Sequence, residues 1–358
     1  MIKTIIKREL LNYLKNPIYY IGAILVFIGV YTSVSPYLGI HYFTDESEIK
    51  TLETYSELAD AEIIDGYIPA TKEDQFAMGL DNIKKVLIEE FQRSESEVNE
   101  SIEKIKERKM SIPDVSAYME ENYSLPGGDT FFYHSTEMKK ATVEEANNYI
   151  KHALEQQTYS SYFSRKYADF LSLMIVFYAI LMLAFLYIRD SKKDIYELLH
   201  TRPVKAWQYI TGKILGGMTA LGLAVTVITA IFDVLVILHG KRAGFPVSVW
   251  DLWIVVLLYI LPNLLMIASV YTGVAILFKN PLPAIPALLL YFVYSNMGSV
   301  LEDGTILYPK LAILVRFQSI FFDTVIPPQA VVNQIFLVGC TIVIILFSSL
   351  VWKRRRVY

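Results

Sequence analysis

Six long apolar runs decide what this chain can fold into: Ile18–Ile40, Phe170–Ile188, Ile210–Leu238, Leu252–Phe278, Ala284–Val300 and Val331–Trp352. The hydrocarbon core of a bilayer is about 30 Å thick, and a helix rising about 1.5 Å per residue crosses it in roughly 20 residues. In that medium no water can satisfy a backbone amide, so a spanning segment must close its own hydrogen bonds as a helix. The chain is 54% hydrophobic, with a mean hydropathy of +0.37, which sets it outside soluble globular proteins. The expected fold class is therefore an all-α polytopic membrane protein. It has six transmembrane helices and a mostly helical extracellular insert between the first two. Span 1 (18–40) is too long for the apolar core of a signal peptide and has no small-residue cleavage site, so it reads as an uncleaved anchor. Spans 2 to 6 occupy 167–188, 210–238, 250–278, 284–300 and 331–352. Pro262 should kink the fourth, and Pro281, Pro283 and Pro286 should make the entry to the fifth irregular.

Residues 41–166 differ in kind, with 26 acidic against 14 basic side chains. Amphipathic spacing predicts helices over Asn82–Arg93, carrying Ile83, Val86, Leu87 and Phe91, and over Ser94–Lys109, carrying Val98, Ile102 and Ile105. Ser94-x-x-Glu97 and Thr142-x-x-Glu145 fit capping boxes. Pro126-Gly127-Gly128-Asp129 is a turn, with a strand or extended loop over Thr130–His134. The helix starting at Thr142 is expected to run directly into span 2. Between spans 5 and 6, residues 305–330 are apolar but carry Lys310, Arg316 and Asp323, and read as helices that dip into the outer leaflet.

Charge orients the spans. Fifteen Lys and Arg lie in the N-terminal segment, the basic stretch 189–217 after span 2 (Lys213 included), position 279 and the tail 353–358. The short loops on the other side hold Lys241, Arg242, Lys310 and Arg316. The positive-inside rule then places both termini in the cytoplasm and 41–166 outside the plasma membrane. Trp207 and Trp352 fall at inner ends, Trp250 and Trp253 at an outer end, as an interfacial aromatic belt requires.

Two cytoplasmic elements stand out. Residues 1–17 form an amphipathic helix pattern, with Ile2, Ile5, Ile6, Leu10 and Leu14 on one face and Lys3, Lys7, Arg8 and Lys15 on others. Residues 189–209 form a basic loop in which Asp194–Thr201 reads as a short helix presenting Ile195, Leu198 and Leu199, ended by Pro203. Arg8-Glu9-Leu10 followed by Asn16-Pro17, together with Glu197-Leu198-Leu199, Thr201-Arg202-Pro203-Val204 and Gly212-Lys213, resembles ABC-2-type transporter permeases. In that family the loop is a coupling helix seated on the ATP-hydrolysing subunit, and a re-entrant helical pair lies between the last two spans.

The resemblance implies a transport subunit without cofactor of its own. ATP and Mg would sit on a separate ATP-binding subunit, and a second permease chain, identical or a sister, would complete the pathway. It assigns the ATPase-coupling interface to Arg8, Glu9, Asp194, Glu197, Leu198, Leu199, Arg202 and Pro203. The residues themselves offer no catalytic set. No G-x-x-x-x-G-K-[ST] loop and no H-E-x-x-H is present, and the five histidines are scattered singly. Glu89-Glu90-x-x-Arg93 resembles the paired-glutamate motif of membrane CAAX-type proteases but is one residue short and lies in the insert. Asp233 is the single acidic residue well inside a span, with Asp169 and Asp251 at outer span ends; structural roles or hydration fit all three better than ion coupling. Cys340 is a small apolar residue in a span. Few buried charges favour an amphipathic or lipid-like cargo, such as an antimicrobial compound. The rival reading is a membrane sensor or scaffold working through its acidic ectodomain, and neither reading calls for nucleic acid.

Overall fold

A computed structural model describes residues 2–52, 54–133, 136–186, 205–300, 306–317 and 320–354. Its helices in chain order are α1 (Ile2–Leu14), α2 (Pro17–Val34), α3 (Tyr55–Ala59), α4 (Lys72–Glu89), α5 (Glu95–Glu107) and α6 (Ile112–Tyr123). They continue with α7 (Val143–Gln156), α8 (Tyr159–Leu183), α9 (Ala206–Ala243), α10 (Trp250–Phe278), α11 (Ala284–Asn296) and α12 (Ala330–Arg354). Two compact units result. One holds the described residues of 1–39, 156–301 and 305–358, the other those of 40–155.

The first unit is the membrane body. Five of its helices are long and apolar enough to cross a bilayer: α2 with its 3-10 extension to Gly39, α8, α9, α10 and α12. The sixth, α11, is apolar but has 13 residues, about 20 Å of helix, short of the hydrocarbon thickness. Conversely, α9 has 38 residues and extends beyond its apolar run at both ends. Leu290, Ile335, Val343, Leu346, Ile24 and Leu25 point outward and are more than half exposed, as helices bathed in hydrocarbon or covered by another chain require.

Local chemistry sets the breaks. Asn16 ends α1 and caps α2, its Oδ1 accepting from the Ile18 N–H at 3.0 Å, with Pro17 at the first helical position. The expected continuous helix from Thr142 into span 2 is instead two. The first, α7, stops at Gln156, and Thr158 caps α8 by accepting from the Ser161 N–H. The kink expected at Pro262 takes the form of a π turn over Val256–Ile260, immediately before the proline, which relieves the ring's clash with the preceding turn.

Helix seams use small and polar residues. Gly22 and Gly29 of α2 face the Tyr178 ring and the Met174 side chain of α8, so neither is an incidental glycine. The α10–α12 seam carries Asn263, Ser269 and Gly273 opposite Gln334, Thr341 and Ser348. The seven-residue spacing of those α12 positions is the repeat of a left-handed helix pair.

The dipping helices expected over 305–330 are not what the described residues form. There the chain makes strand β4 (Ile306–Leu307), paired antiparallel with β3 (Ser299–Val300), and one 3-10 turn at Phe321–Asp323. The physical reason is that side chains from the spans take the backbone amides a helix would use. Asn333 Oδ1 accepts from Leu311 N–H at 2.7 Å, Ser295 Oγ from Ile313 N–H at 2.9 Å, and Asp169 Oδ1 from Phe317 N–H at 2.9 Å. Ile313, Leu314, Val315 and Phe317 are consequently buried without helical structure.

The second unit is a small helical domain with its own core. Leu80, Ile83 and Leu87 of α4 meet Val98, Ile102 and Ile105 of α5 and Val115, Met119 and Tyr123 of α6, closed by Phe132. Phe91, expected in that face, lies beyond α4 and is exposed. Strands β1 (Tyr67–Pro69) and β2 (Met138–Lys140) pair antiparallel across the unit. The Thr142–Glu145 box forms as expected, while Ser94 accepts from the Glu97 N–H. Two further boxes, Thr71–Asp74 and Ser111–Asp114, use Asp in place of Glu. Glu89 and Glu90 are exposed at the end of α4, and Arg93 lies over the Tyr123 ring at 5.7 Å.

Candidate functional site

The amphipathic helix α1 is seated on the first turns of α9 through a groove floored by two glycines one turn apart. A Cβ at Gly212 would lie 3.1 Å from Ile5 Cβ, a tight fit, and one at Gly216 would lie 2.5 Å from Glu9 Cβ, so the contact requires the absence of a side chain at 216. Between the two glycines, Lys213 turns toward α1 and its Nζ meets Glu9 Oε1 at 3.0 Å. The Lys213 side chain is 2% exposed and that of Glu9 11%. Two charges so far from water persist only when paired. On the same end of the body, the Tyr209 ring of α9 stacks on Trp352 of α12 at 4.7 Å.

The opposite end of the body holds a second buried ion pair. Asp169 of α8 receives Arg316 Nε at 2.7 Å on Oδ1 and Nη2 at 3.1 Å on Oδ2, a two-pronged contact, with the Phe317 N–H also on Oδ1. Arg316 Nη1 donates to Asn296 Oδ1 at 2.7 Å, and its guanidinium lies over Tyr308. Burial works against the charge on Arg316, but the Asp169 carboxylate outweighs it and leaves the guanidinium pKa raised. Nearby, Arg165 donates to the Thr324 carbonyl and to Gln157. Asp251 Oδ2 accepts from Thr158 at 2.7 Å and Ser160 at 2.5 Å, fastening the start of α10 to that of α8. Burial raises the pKa of Asp323. Asp233, the in-span carboxylate, is 6% exposed and has an Oδ1 without a hydrogen-bond partner.

The coupling residues expected from sequence divide into two groups. Asp194, Glu197, Leu198, Leu199, Arg202 and Pro203 lie outside the described residues. Of the α1 pair, Arg8 is exposed whereas Glu9 faces Lys213. Lys213, counted above among the basic loop residues, belongs instead to the buried face of α9. Among the described residues no cluster of three or more His, Cys, Asp and Glu side chains is arranged to hold a metal. The family profile described as "ABC-2 family transporter protein" matches residues 3–356. The chain belongs to the ABC-2 transporter family. Comparison with curated proteins and with solved structures returns no match.

For an ABC-2 permease, the packing gives the two short signatures a common physical meaning. Arg8-Glu9-Leu10 and Gly212-Lys213, 204 positions apart at their charged members, are the two halves of one contact. The carboxylate and the ammonium satisfy each other, and the glycines let them approach. Sequence reading of this permease found both stretches and missed that they touch. The available signal was a lone Glu on the apolar side of α1 and a lone Lys one turn inside a span. The Asp169–Arg316 pair was legible only as two unexplained charges at the borders of apolar runs.

Proposed function

We propose that this ABC-2 permease exports an amphipathic or lipid-like compound, such as an antimicrobial, using ATP hydrolysed on a separate subunit. The observation that carries the reading is the family match over residues 3–356, nearly the whole chain. Two permease chains, identical or sister, form the pathway, and each receives an ATPase whose nucleotide and Mg remain on that partner. The permease itself is not an enzyme. Its ATPase-facing surface comprises Arg8 on the exposed side of α1 and Asp194, Glu197, Leu198, Leu199, Arg202 and Pro203 in the loop before α9. Glu9 contributes by holding α1 in place. Both termini face the cytoplasm of a plasma-membrane protein with six spans, and 41–166 is extracellular.

A cavity of about 380 Å3 between α2 and α9 supports an apolar cargo. Tyr19, Tyr20, Phe27, Leu223, Val227 and Ile231 line it, and its two tyrosine hydroxyls are committed to the Ala220 and Leu14 carbonyls. It therefore offers hydrocarbon and aromatic faces and no free hydroxyl. The size falls within the usual range for small-ligand sites, about 300–1,000 Å3.

The test is co-purification of the tagged chain with a phosphate-loop ATPase, followed by reconstitution of the two. Purification of a stable complex whose hydrolysis of ATP depends on the permease supports the reading. A chain that purifies alone and leaves that ATPase unchanged refutes it and favours the sensor or scaffold alternative. Orientation is tested with an impermeant thiol reagent on intact cells, in a Cys340→Ala background. A cysteine replacing Glu95 should label, and one replacing Lys192 should not.

A further inference from the structure

We infer that α1 and α9 are welded into a single rigid body, with Glu9 and Lys213 as positioning residues that fix α1 to the third span throughout the transport cycle. The inference rests on the transport reading above and adds the route by which force at the ATPase-facing end enters the membrane.

Three independent observations converge on the same turns of α9. The glycines at 212 and 216 leave no room between the helices: a β-carbon at 216 would sit 2.5 Å from Glu9 Cβ, closer than carbon atoms tolerate. The Glu9–Lys213 pair is buried at the centre of that contact, flanked by Ile5 on one side and the buried Tyr13 on the other. Separating the helices would strand both charges away from water, which makes the contact all-or-none instead of gradually slipping. Finally, α9 runs without interruption from Ala206 to Ala243, ending in the left-handed cap at Gly244. A helix of that length transmits a tilt at one end to the other, about 57 Å away.

An amphipathic helix held only by headgroups would instead slide along the interface as the ATPase moved. The weld removes that freedom. Displacement of the exposed face of α1, with Lys7, Arg8 and Leu11, becomes displacement of α9. It also settles why Glu9 is a poor candidate for direct ATPase contact: its carboxylate is spent inside the permease. Arg8, on the next side chain around the helix, remains exposed for a partner.

A crosslink that leaves function intact tests this most sharply. In a Cys340→Ala background, Ile5→Cys with Gly212→Cys places the two β-carbons 3.1 Å apart before relaxation, a few tenths of an ångström short of the range of about 3.5–4.5 Å for disulfides, which a small shift of the helices supplies. The reconstituted permease–ATPase complex is assayed for ATP hydrolysis after oxidation and again after reduction. A weld predicts near-complete crosslinking and hydrolysis that changes by less than about twofold. Loss of hydrolysis on oxidation, restored by reductant, would show that α1 leaves α9 during the cycle and would overturn the inference.

Charge reversal gives a second arm that does not depend on the disulfide. Glu9→Lys alone should cut permease-stimulated kcat about tenfold or more, the scale of a typical coupling effect, with little change in the KM for ATP. The swap Glu9→Lys with Lys213→Glu should recover most of that loss. A swap no better than the single variant, although well folded by thermal unfolding, would also overturn the positioning role. Failure of the transport reading looks different: the wild-type chain then stimulates no ATPase, and the role falls with it, while disulfide yield still reports the contact.

Discussion

Removing the Asp169 carboxylate should be among the most damaging single changes in the membrane body. Asp169→Ala leaves Arg316 buried with Asn296 as its remaining hydrogen-bond acceptor and the Tyr308 ring beneath it, and takes the acceptor from the Phe317 N–H. Breaking one partner of a buried pair costs about 3–5 kcal/mol, and an orphaned buried amide about 1–3 kcal/mol. These overlap, because local relaxation admits some water to both, so a loss of about 4 kcal/mol is expected. Asp169→Asn keeps an oxygen for Phe317 and should cost less. Asp169→Leu with Arg316→Met removes both charges and should lie within about 2 kcal/mol of wild type, because apolar replacement of a buried pair is commonly tolerated. Steric-trap unfolding in bicelles measures these proteins together with Asp169→Leu alone and Arg316→Met alone, which complete the cycle. The double-mutant cycle should give a coupling above about 2 kcal/mol; additivity within about 0.5 kcal/mol would refute the buried latch.

The insert should lose stability in acid. Lys139 and Thr71 hold the Asp74 pKa below its ordinary value, and Ser111 does the same for Asp114. Carboxylates with depressed folded-state pKa values stabilise above their unfolded value of about 4, and that stabilisation disappears as pH falls through the folded value. Urea midpoints of residues 40–155 should be level from pH 7 to 5 and fall below about pH 4, with a flatter profile for Asp74→Asn; an unchanged midpoint at pH 3 would contradict the cap geometry. In the span, Asp233→Asn should leave ATP-driven activity intact and thermal stability equal or higher, since its Oδ1 has no partner to lose. Abolished activity with normal folding would mean that Asp233 carries an ion.

The membrane class was written in the six apolar runs, because the hydrocarbon imposes helix on any stretch of that length and polarity. The insert was legible in its cores: Ile83, Leu87, Val98, Ile102 and Ile105 are all buried where their spacing places them. Two capping boxes escaped notice because Asp74 and Asp114 stand where Glu or Gln is expected, although a shorter carboxylate reaches the same amide. Residues 306–317 read as helix because they are apolar, yet their amides bind Asn333, Ser295 and Asp169, partners supplied by distant parts of the chain. The Glu9–Lys213 contact is hidden for the same reason. Periodicity within one helix shows which face is buried, but it cannot say which helix covers it.

Attachment to a separate ATPase is tested most directly by Glu197→Lys in the loop before α9. Both residues are good helix formers, so the exchange barely alters intrinsic helix propensity. Reversing a desolvated interfacial charge should weaken ATPase binding by at least the roughly 2–5 kcal/mol typical of losing one partner of such a pair, whereas an exposed rim charge would matter by about 0–1 kcal/mol. The measurement is permease-stimulated ATP hydrolysis in nanodiscs, with Glu57→Lys in the insert as the control. Normal insertion with lost stimulation for Glu197→Lys, and full stimulation for Glu57→Lys, is the expected result. A Glu197→Lys chain that still binds and fully stimulates its ATPase would contradict the coupling role of this loop.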